Sequence, residues 1–197
     1  VTGGTRGLGR QIAVRLAEAG CIVAVCGRSA PDDLPAGISF YQADVRDADQ
    51  AKGFVDAVVA QHGRIDILVN NAGGSPASAV AEASPRFVDA ILKLNMVGPL
   101  YMAQAAYPHM AAQKGGSIIN IASVSGARPS PGTTIYGMAK AGLINMTQSL
   151  AQEWGRDAIR VNAIIAGLMT TENAEATYGD AAAQAAVGRV RRHDGAV

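Results

Sequence analysis

Short apolar runs alternate with longer segments of helical periodicity along this chain. The apolar runs cover residues 21–26, 38–42, 65–69, 117–121 and 159–164, and the tail of another precedes a glycine-rich turn at residues 3–9. Apolar residues recur at helical spacing over residues 10–19, 47–61, 85–113, 134–154 and, in an alanine-rich stretch, 171–186. Strands that are apolar on both faces and alternate with helices are typical of a parallel sheet covered on both sides. The pattern predicts a doubly wound α/β fold, formed by one domain over residues 1–197.

The composition is that of a folded domain without a marked charge. Of the 197 residues, 49% are hydrophobic and 17% are charged, and the formal net charge is +1. These values argue against a disordered chain. The only basic run is short, at residues 189–192, so no nucleic-acid partner is expected.

No stretch of the sequence has the composition of a membrane span. Residues 94–113 are long enough, but they include an asparagine, a glutamine, a proline and a histidine. The only cysteines, Cys21 and Cys26, flank one predicted strand and point to its opposite faces, so they cannot pair with each other. Unpaired cysteines suit a reducing compartment, and we expect a cytoplasmic protein. The three histidines lie far apart, so no metal site is expected.

The first candidate site is the turn Thr-Gly-Gly-Thr-Arg-Gly-Leu-Gly at residues 2–9. Glycines allow positive φ and close approach of a ligand, and the helix that follows presents its amino-terminal N–H groups to a phosphate. The spacing of Gly3, Gly7 and Gly9 differs from the common Gly-x-Gly-x-x-Gly fingerprint. A dinucleotide phosphate site is one interpretation of this stretch, and a simple tight turn is the other.

The second candidate site is the pair Tyr136 and Lys140, on a helix for which Thr133 or Thr134 is the expected N-cap. Residues four apart on a helix share a face. An ammonium beside a phenol favours the phenolate, so Tyr136 can act as a general acid near neutral pH. Such a pair is often a coincidence of a protein surface. Ser123, thirteen residues upstream, and the glycine turn favour the catalytic interpretation.

Together these motifs resemble the single-domain short-chain dehydrogenases/reductases. The matching features, in order, are Thr-Gly-x-x-x-Gly-x-Gly at residues 2–9, Asn-Asn-Ala-Gly at residues 70–73, and a serine ahead of Tyr-x-x-x-Lys. The resemblance covers essentially the whole chain and is greatest to the group of 3-oxoacyl-[acyl-carrier-protein] reductases and sugar or alcohol dehydrogenases. It implies a Rossmann-like fold and an oxidoreductase that transfers a hydride between a nicotinamide and a small-molecule carbonyl or secondary alcohol.

By this resemblance the catalytic residues are Ser123, Tyr136, Lys140 and Asn95. Tyr136 donates a proton to the carbonyl oxygen, and Ser123 donates a hydrogen bond to the same oxygen. Lys140 holds the nicotinamide ribose, and Asn95 holds a water that links Lys140 to solvent. Ser125 is an alternative to Ser123, although Ser123 has the family spacing to Tyr136. Each serine could instead be a loop hydroxyl that caps its own backbone.

Pro99 suggests how Asn95 contributes. A helical residue donates its N–H to the carbonyl four positions earlier, and proline has no N–H. The Asn95 carbonyl therefore lacks its helical partner. Either this carbonyl binds the relay water, or Pro99 produces a kink that only aids packing.

The resemblance also implies a set of cofactor-binding residues in the glycine turn, after the second strand, along the sheet edge and beyond the last strand. They are Gly3, Thr5, Arg6, Gly7, Leu8, Arg28, Ser29, Asp44, Val45, Asn71, Ala72, Gly73, Tyr136, Lys140, Gly167, Met169 and Thr171.

Two arginines favour NADP(H) over NAD(H). In NAD enzymes of this fold an acid after the second strand usually binds the ribose 2′-hydroxyl, but here Arg28 and Ser29 follow that strand and no acid comes before Asp32. Arg28 and Arg6 would attract a 2′-phosphate, unless both are solvated surface charges.

The resulting prediction is an NADP(H)-dependent oxidoreductase with Tyr136 as general acid/base. One alternative is an NAD(H)-dependent alcohol or sugar dehydrogenase. Another, from a different class, is a non-catalytic dinucleotide-binding sensor or scaffold.

Two features depart from the family pattern. Ala166-Gly167 stands where Pro-Gly is usual, which loosens the backbone beside the nicotinamide. We also expect the chain to lack part of the first strand and, after residues 188–189, a C-terminal strand and helix. The residues after Thr171 correspond to the mobile substrate lid of the family.

Two uncharged helical segments predict self-association. Residues 141–152 and 94–113 carry no formal charge apart from His109, and a helix without a charged face is usually buried. Gly142, Ala139 and Ser149 are small enough for close approach of a second helix. In the family these segments form a four-helix bundle between protomers, so a homodimer or homotetramer is expected.

Overall fold

The computed structural model describes residues 1–167 and 169. Its strands are β1 (Val23–Gly27), β2 (Ile38–Gln42), β3 (Ile67–Asn70), β4 (Gly116–Ser123) and β5 (Ile159–Ala166). β1 pairs with β2, and β3, β4 and β5 pair in that order, with each pairing parallel. The strands therefore form two groups, one from each half of the described chain.

Residues 1–3 join the two groups of strands. The Gly3 N–H donates to the Cys26 carbonyl and the Thr2 N–H donates to the Val69 carbonyl, each at 2.9 Å. The order across the sheet is therefore β2, β1, residues 1–3, β3, β4, β5. The chain moves outward in one direction from the centre and then in the other, which confirms the predicted doubly wound Rossmann-like fold.

Six α-helices lie in the part of the chain that the structure describes. They are α1 (Gly7–Glu18), α2 (Ala48–His62), α3 (Pro85–Leu92), α4 (Gly98–Ala112), α5 (Val124–Ala127) and α6 (Thr134–Trp154). A π turn at Lys93–Val97 joins α3 to α4, and short 3₁₀ turns lie at Val80–Glu82 and Gly155–Asp157. None of these helices is both long and apolar enough to cross a membrane.

Several predicted boundaries are wrong. α1 begins at Gly7 rather than at residue 10. The predicted helix over residues 85–113 is two helices separated by the π turn, where Pro99 removes an N–H from the regular ladder. β4 continues to Ser123, and α5 then occupies part of the predicted loop. The predicted helix at residues 171–186 lies outside the described residues.

Two hydrophobic clusters cover opposite faces of the sheet. Along β1, Val23 and Val25 belong to the cluster beneath α1, whereas Ala24 and Cys26 pack into the other one. This division follows from the period of two in a strand. The second cluster is the larger and takes side chains from α2, α4 and α6, among them Trp154, which stacks on Tyr107 at 4.7 Å between centroids.

The small residues of α6 serve the interior of the chain as well as its surface. Ala139 is fully buried, and a Cβ at Gly142 would overlap Met96 Sδ. These two residues therefore pack against the chain's own elements, contrary to the expected contact with a second helix. After the first turn, the exposed positions of α6 form a separate stripe, and before Glu153 all of them are uncharged: Met138, Ala141, Asn145, Gln148, Ser149 and Gln152.

Candidate active site

A cleft of about 1550 Å³ opens at the carboxyl ends of the strands, where ligands bind in doubly wound sheets. Asn95 is fully buried and is not part of its wall. Thr171 lies outside the described residues. All the other predicted site residues line the cleft: Gly3, Thr5, Arg6, Gly7, Leu8, Arg28, Ser29, Asp44, Val45, Asn71, Ala72, Gly73, Ser123, Tyr136, Lys140, Gly167 and Met169.

The glycine turn brings the start of α1 to this cleft. Gly3 and Gly7 have φ values of +63° and +53°, which residues with a side chain rarely adopt. A Cβ at Gly9 would overlap the Gly3 carbonyl oxygen and Asn71 Nδ2. The first turn of α1 therefore packs directly on the turn and on the loop after β3, with its positive dipole end at the cleft.

Thr2 links this turn to the loop after β3. Its buried Oγ1 accepts hydrogen bonds from the backbone N–H groups of Asn71 and Ala72, each at 3.0 Å. Asn71 Nδ2 donates in return to the Thr2 carbonyl at 3.0 Å and to the Gly3 carbonyl at 3.3 Å. The two segments are one bonded unit. Thr2 was not predicted as a site residue, although its position directly before the first glycine of the turn could have indicated a role there.

Asn95 lies in the π turn, and its side chain holds the same loop. Its Nδ2 donates to the Gly74 carbonyl at 2.9 Å and to the Ile91 carbonyl at 3.0 Å, and its Oδ1 accepts from the Gly74 N–H at 2.8 Å. A Cβ at Gly73 would lie 2.7 Å from Asn95 Oδ1 and 3.3 Å from Lys140 Nζ. The absence of a side chain at Gly73 therefore leaves room for both Asn95 Oδ1 and Lys140 Nζ beside the loop.

Lys140 is only 3% exposed. Its Nζ donates to the Ile121 carbonyl on β4 at 2.7 Å and lies 5.7 Å from the centroid of the Tyr136 ring. Burial lowers the pKa of Lys140 from 10.5 to about 8. The predicted pair on one face of α6 therefore exists, and the carbonyl of Ile121, which was not predicted, anchors it to the sheet.

Ser123 is the last residue of β4 and is 9% exposed. Its Oγ accepts the backbone N–H of Ser125 at 3.2 Å and so caps α5. A hydroxyl has two lone pairs and one proton, and this contact uses only a lone pair. Ser123 thus caps the local backbone, which was the alternative to a catalytic role. Its hydroxyl proton is still available to a ligand in the cleft.

Behind the site, a buried polar chain crosses the sheet. Asn70 Nδ2 donates to Asn120 Oδ1 at 2.9 Å and to the Pro99 carbonyl at 3.2 Å, and Asn120 Nδ2 donates to Thr147 Oγ1 at 2.9 Å. These bonds tie β3, β4, α4 and α6 together at the end where the site lies. Asn120 was not predicted to have this role. The signal in the sequence was an asparagine in the middle of an apolar run.

At the other end of the cleft, two acids are neutralised by arginines. Arg46 binds both carboxylate oxygens of Asp44, at 2.5 Å from Nη2 to Oδ2 and 2.9 Å from Nε to Oδ1. The hydrogen bonds from Arg46 hold the pKa of Asp44 below its ordinary value. Arg10 forms a similar pair with Asp33 at 2.6 Å. Neither Asp44 nor Asp33 is therefore an uncompensated negative charge.

Arg6 and Arg28 both line this end of the cleft. Neither forms an ion pair with another residue in the described part of the chain. The charge of Arg28 also contributes, after the hydrogen bonds from Arg46, to the lowered pKa of Asp44. The local charge balance therefore favours an anionic ligand group. Within residues 1–167 and 169 no cluster of three or more histidine, cysteine or acidic side chains could hold a metal ion.

Comparison with known proteins agrees with this geometry. The sequence profile described as short chain dehydrogenase matches residues 1–181. This chain belongs to the short-chain dehydrogenase/reductase family. It is an NAD(P)-dependent oxidoreductase that acts on CH–OH or C=O groups.

Its curated relatives include reductases and dehydrogenases. 3-Oxoacyl-[acyl-carrier-protein] reductase FabG of Staphylococcus aureus is 37% identical over 186 residues, which cover 89% of this chain and 76% of the relative. 4-Formylbenzenesulfonate dehydrogenase TsaC1/TsaC2 of Comamonas testosteroni is 38% identical over 177 residues, covering 83% of this chain and 69% of the relative. The predicted similarity of this short-chain dehydrogenase/reductase to 3-oxoacyl-[acyl-carrier-protein] reductases is thereby confirmed.

Among solved structures, ElxO with NADP bound has a TM-score of 0.83 to this enzyme. It is 29% identical, and the match covers 88% of this chain and 74% of ElxO.

Proposed function

We propose that this enzyme is an NADP(H)-dependent carbonyl reductase, or secondary-alcohol dehydrogenase in the reverse direction, with Tyr136 as general acid/base. The observation that carries the proposal is that Tyr136 and the buried Lys140 share one face of α6 at the wall of the cleft that Ser123 and the glycine turn also line. When bound, the nicotinamide supplies or accepts the hydride. The protein's own groups manage the substrate oxygen and its proton.

Tyr136 donates its proton to the carbonyl oxygen in reduction and takes a proton back in oxidation. The positive charge of Lys140, 5.7 Å from the ring centroid, favours the phenolate and so assists release of that proton. Ser123 Oγ donates a hydrogen bond to the same oxygen and stabilises its developing negative charge. The capping contact of Ser123 supports this role because it leaves the hydroxyl proton available.

Lys140 and Asn95 form the route by which a proton returns to Tyr136. An ammonium has three protons, and the Ile121 carbonyl accepts one, which leaves two for a ribose hydroxyl and a water. The side chain of Asn95 is committed to Gly74 and Ile91. Pro99 provides no N–H to the Asn95 carbonyl, so we assign the relay water to this main-chain oxygen.

The residues of the cleft fit a dinucleotide. The glycine turn and the positive end of α1 suit a diphosphate, and a side chain at Gly73 would fill the space beside Lys140. Gly3, Thr5, Gly7 and Leu8 would hold the diphosphate, and Asp44 and Val45 would contact the adenine. The nicotinamide half would lie against the loop of Asn71, Ala72 and Gly73, with Gly167, Met169 and Thr171 on its other side.

NADP(H) is favoured by the charges at the adenosine end. Arg6 and Arg28, with Ser29, would bind the 2′-phosphate. Asp44 and Asp33, which could repel it, are paired with Arg46 and Arg10. The NADP bound by ElxO supports the same preference by analogy. An unpaired acid remains at Asp32, among the described residues, and it favours the alternative of NAD(H) use as an alcohol or sugar dehydrogenase.

The substrate half of the cleft favours an uncharged compound. The cleft residues that lie between Gly74 and Thr133 in the sequence are all uncharged, among them Ser75, Ile91 and Leu94. A small ketone, aldehyde or secondary alcohol, or a 3-oxoacyl group like that named for the FabG relatives, would meet no repelling charge there.

We also propose a homodimer or homotetramer. The uncharged exposed stripe of α6 from Met138 to Gln152 is the surface that a second copy would cover. Sedimentation of a single monomeric species at micromolar concentration would contradict this assembly.

Turnover tests the proposed function directly. A panel of ketones and aldehydes is offered with NADPH, and the reduced nicotinamide is followed by its absorbance. Consumption of NADPH that depends on the carbonyl compound is the expected result. Tight NADPH binding with no turnover of any panel member would favour the non-catalytic sensor or scaffold instead.

A further inference from the structure

Three hydroxyl groups form a line along the cleft wall between Ser123 and Tyr136. Ser130 Oγ donates to Ser125 Oγ at 3.0 Å, and Thr133 Oγ1 lies 2.6 Å from Ser130 Oγ. All three residues line the cleft, as do Ser123 and Tyr136. This line of Thr133, Ser130 and Ser125, the hydroxyl chain, plays no part in the function proposed above.

The contacts of the hydroxyl chain favour one direction for its protons. Each hydroxyl has a single proton, and Ser130 gives its proton to Ser125. Thr133 is therefore the donor in its 2.6 Å contact with Ser130 Oγ, and the Ser130 carbonyl, 3.4 Å from Thr133 Oγ1, competes for the same proton. The Ser125 proton then has no acceptor in the part of the chain that the structure describes. Donors in such a chain polarise one another, which makes Ser125 a strengthened donor at the end of the line.

Thr133 gives its hydroxyl to this chain rather than to its helix. It occupies the N-cap position of α6, where a threonine normally bonds to a backbone N–H of the first turn. Its side chain makes no such capping bond. The sequence predicted a capping role for Thr133 or Thr134, and the hydroxyl of Thr133 instead bonds to Ser130.

The backbone holds Ser125 firmly beside the candidate catalytic groups. Its N–H donates to Ser123 Oγ at 3.2 Å. Its carbonyl oxygen lies so close to α6 that a Cβ at Gly137, the residue after Tyr136, would be 2.7 Å away. Ser125 is therefore fixed between Ser123 and the helix of Tyr136, and its free proton is close to the oxygen that these two residues would bind.

We propose that Ser125 binds a second acceptor oxygen of the substrate, close to the reacting carbonyl, and thereby selects compounds such as β-keto esters over simple ketones. The proposal rests on the proposed function, because it takes the Ser123 and Tyr136 pair as the place of the reacting oxygen. Ser125 donates one hydrogen bond and takes no part in proton or hydride transfer. Ser130 and Thr133 are positioning residues that orient its proton.

A matched pair of substrates tests this role. Ethyl 3-oxobutanoate and 2-heptanone have chains of equal length and a ketone at the same position, but only the ester has a second acceptor oxygen near it. Loss of one hydrogen bond to an uncharged acceptor reduces affinity by roughly three- to tenfold. Ser125→Ala should therefore lower kcat/KM for ethyl 3-oxobutanoate by about that factor and leave kcat/KM for 2-heptanone essentially unchanged.

Two further variants distinguish an effect of the hydroxyl chain from a general loss of activity. Thr133→Val keeps the shape of the side chain but removes the first proton donor, so it should reduce only the keto-ester rate, and by less than Ser125→Ala. Ser78→Ala removes a hydroxyl that donates to the neighbouring Ala79 carbonyl and is not part of the hydroxyl chain. This variant should alter the rate with neither substrate. Equal losses for both substrates in Ser125→Ala, or an unchanged ratio, would overturn the proposal.

Binding measurements keep this test independent of turnover. The same two compounds are titrated into the NADPH-loaded Tyr136→Phe protein, with and without Ser125→Ala, and the fluorescence of bound NADPH is followed. Ser125→Ala should weaken the binding of the keto ester and leave the binding of 2-heptanone unchanged. If the wild-type enzyme turns over neither these compounds nor any other member of the carbonyl panel, the proposed reductase function fails. The ratio of the two dissociation constants still decides the role of Ser125.

Discussion

Lys140 Nζ lies 5.7 Å from the centroid of the Tyr136 ring, one turn along the same face of α6. The ammonium is held there by a 2.7 Å hydrogen bond to the Ile121 carbonyl. Helical spacing brings the two side chains together, and the end of β4 fixes the position of the charge. The relationship therefore depends on the sheet as well as on the helix.

Replacement of Tyr136 by phenylalanine removes the proposed proton donor and keeps the ring. General acid catalysis contributes roughly a hundred- to ten-thousandfold, so kcat should fall by about that factor while the dissociation constant of NADPH changes little. Steady-state rates and a fluorescence titration measure the two effects. Tyr41→Phe is the control, because its hydroxyl bonds to Gln61 on α2, outside the cleft. Wild-type turnover in Tyr136→Phe would show that another group donates the proton.

Burial of Lys140 should make the cofactor-free protein more stable as the pH rises above about 8. The pKa is lowered from 10.5 to about 8 in the folded protein, so between these values the unfolded chain binds the proton and the folded chain does not. Stability rises with pH wherever the unfolded state binds more protons. At about 1.4 kcal/mol per pKa unit the full gain is about 3 kcal/mol, and below pH 8 it is absent.

Lys140→Met removes this titration and provides the comparison. Urea denaturation at about pH 7 and about pH 10, at fixed protein concentration, gives the free energy of unfolding of both proteins. All other groups titrate in both, so the wild type should gain stability relative to Lys140→Met over this interval. A difference between the two proteins that stays constant with pH would contradict the buried, titrating ammonium.

Gly73→Ala tests the close approach beneath the loop after β3. The added Cβ would lie 2.7 Å from Asn95 Oδ1 and 3.3 Å from Lys140 Nζ, so these groups must move. Overpacking costs about 1–3 kcal/mol, and a displacement of about 1 Å at a catalytic group can reduce the rate roughly a hundredfold. We expect lower thermal stability together with a fall in kcat of that order.

Gly53→Ala is the matched control for Gly73→Ala. Gly53 lies within α2, and a Cβ there would have no neighbour within 4 Å. Alanine is favoured over glycine inside a helix by about 0.5–1 kcal/mol, so this variant should be slightly more stable and fully active. If both variants behave alike in activity assays, Gly73 has no special role beside Lys140.

Local sequence patterns predicted the alternation of elements and the residues that meet at the sheet edge. Tyr136 and Lys140 follow from helical spacing, and Asn71 follows from the end of an apolar run. Ser123 was assigned by the family resemblance, from its spacing to Tyr136. Their convergence could be predicted because parallel strands place their carboxyl ends at one edge. The same rule explains why nearly every predicted residue in the described part of the chain lines one cleft.

Contacts between distant segments could not be predicted in this way. The bonds from Thr2 to the loop at residues 71–72 join positions far apart in the sequence. Gly142 was assigned to the protein surface, but it packs on Met96 of the π turn, whose presence no periodicity indicated. The hydroxyl of Thr133 was expected to cap α6 and bonds instead to Ser130. In each case the partner was set by tertiary packing.

The proposed preference for NADP(H) depends on Arg28, which lines the cleft and forms no ion pair within the described residues. A charge-assisted hydrogen bond contributes about 1.5–3 kcal/mol, or roughly ten- to a hundredfold in affinity. We therefore expect NADPH to exceed NADH in kcat/KM by at least about tenfold, and Arg28→Asp to shrink or reverse that ratio because its carboxylate repels the 2′-phosphate. Arg15→Asp makes the same change of charge at an exposed position of α1 paired with Glu18, and it should leave the ratio unaltered. Equal kcat/KM values for the two cofactors in the wild type would show that neither Arg28 nor Arg6 binds the phosphate.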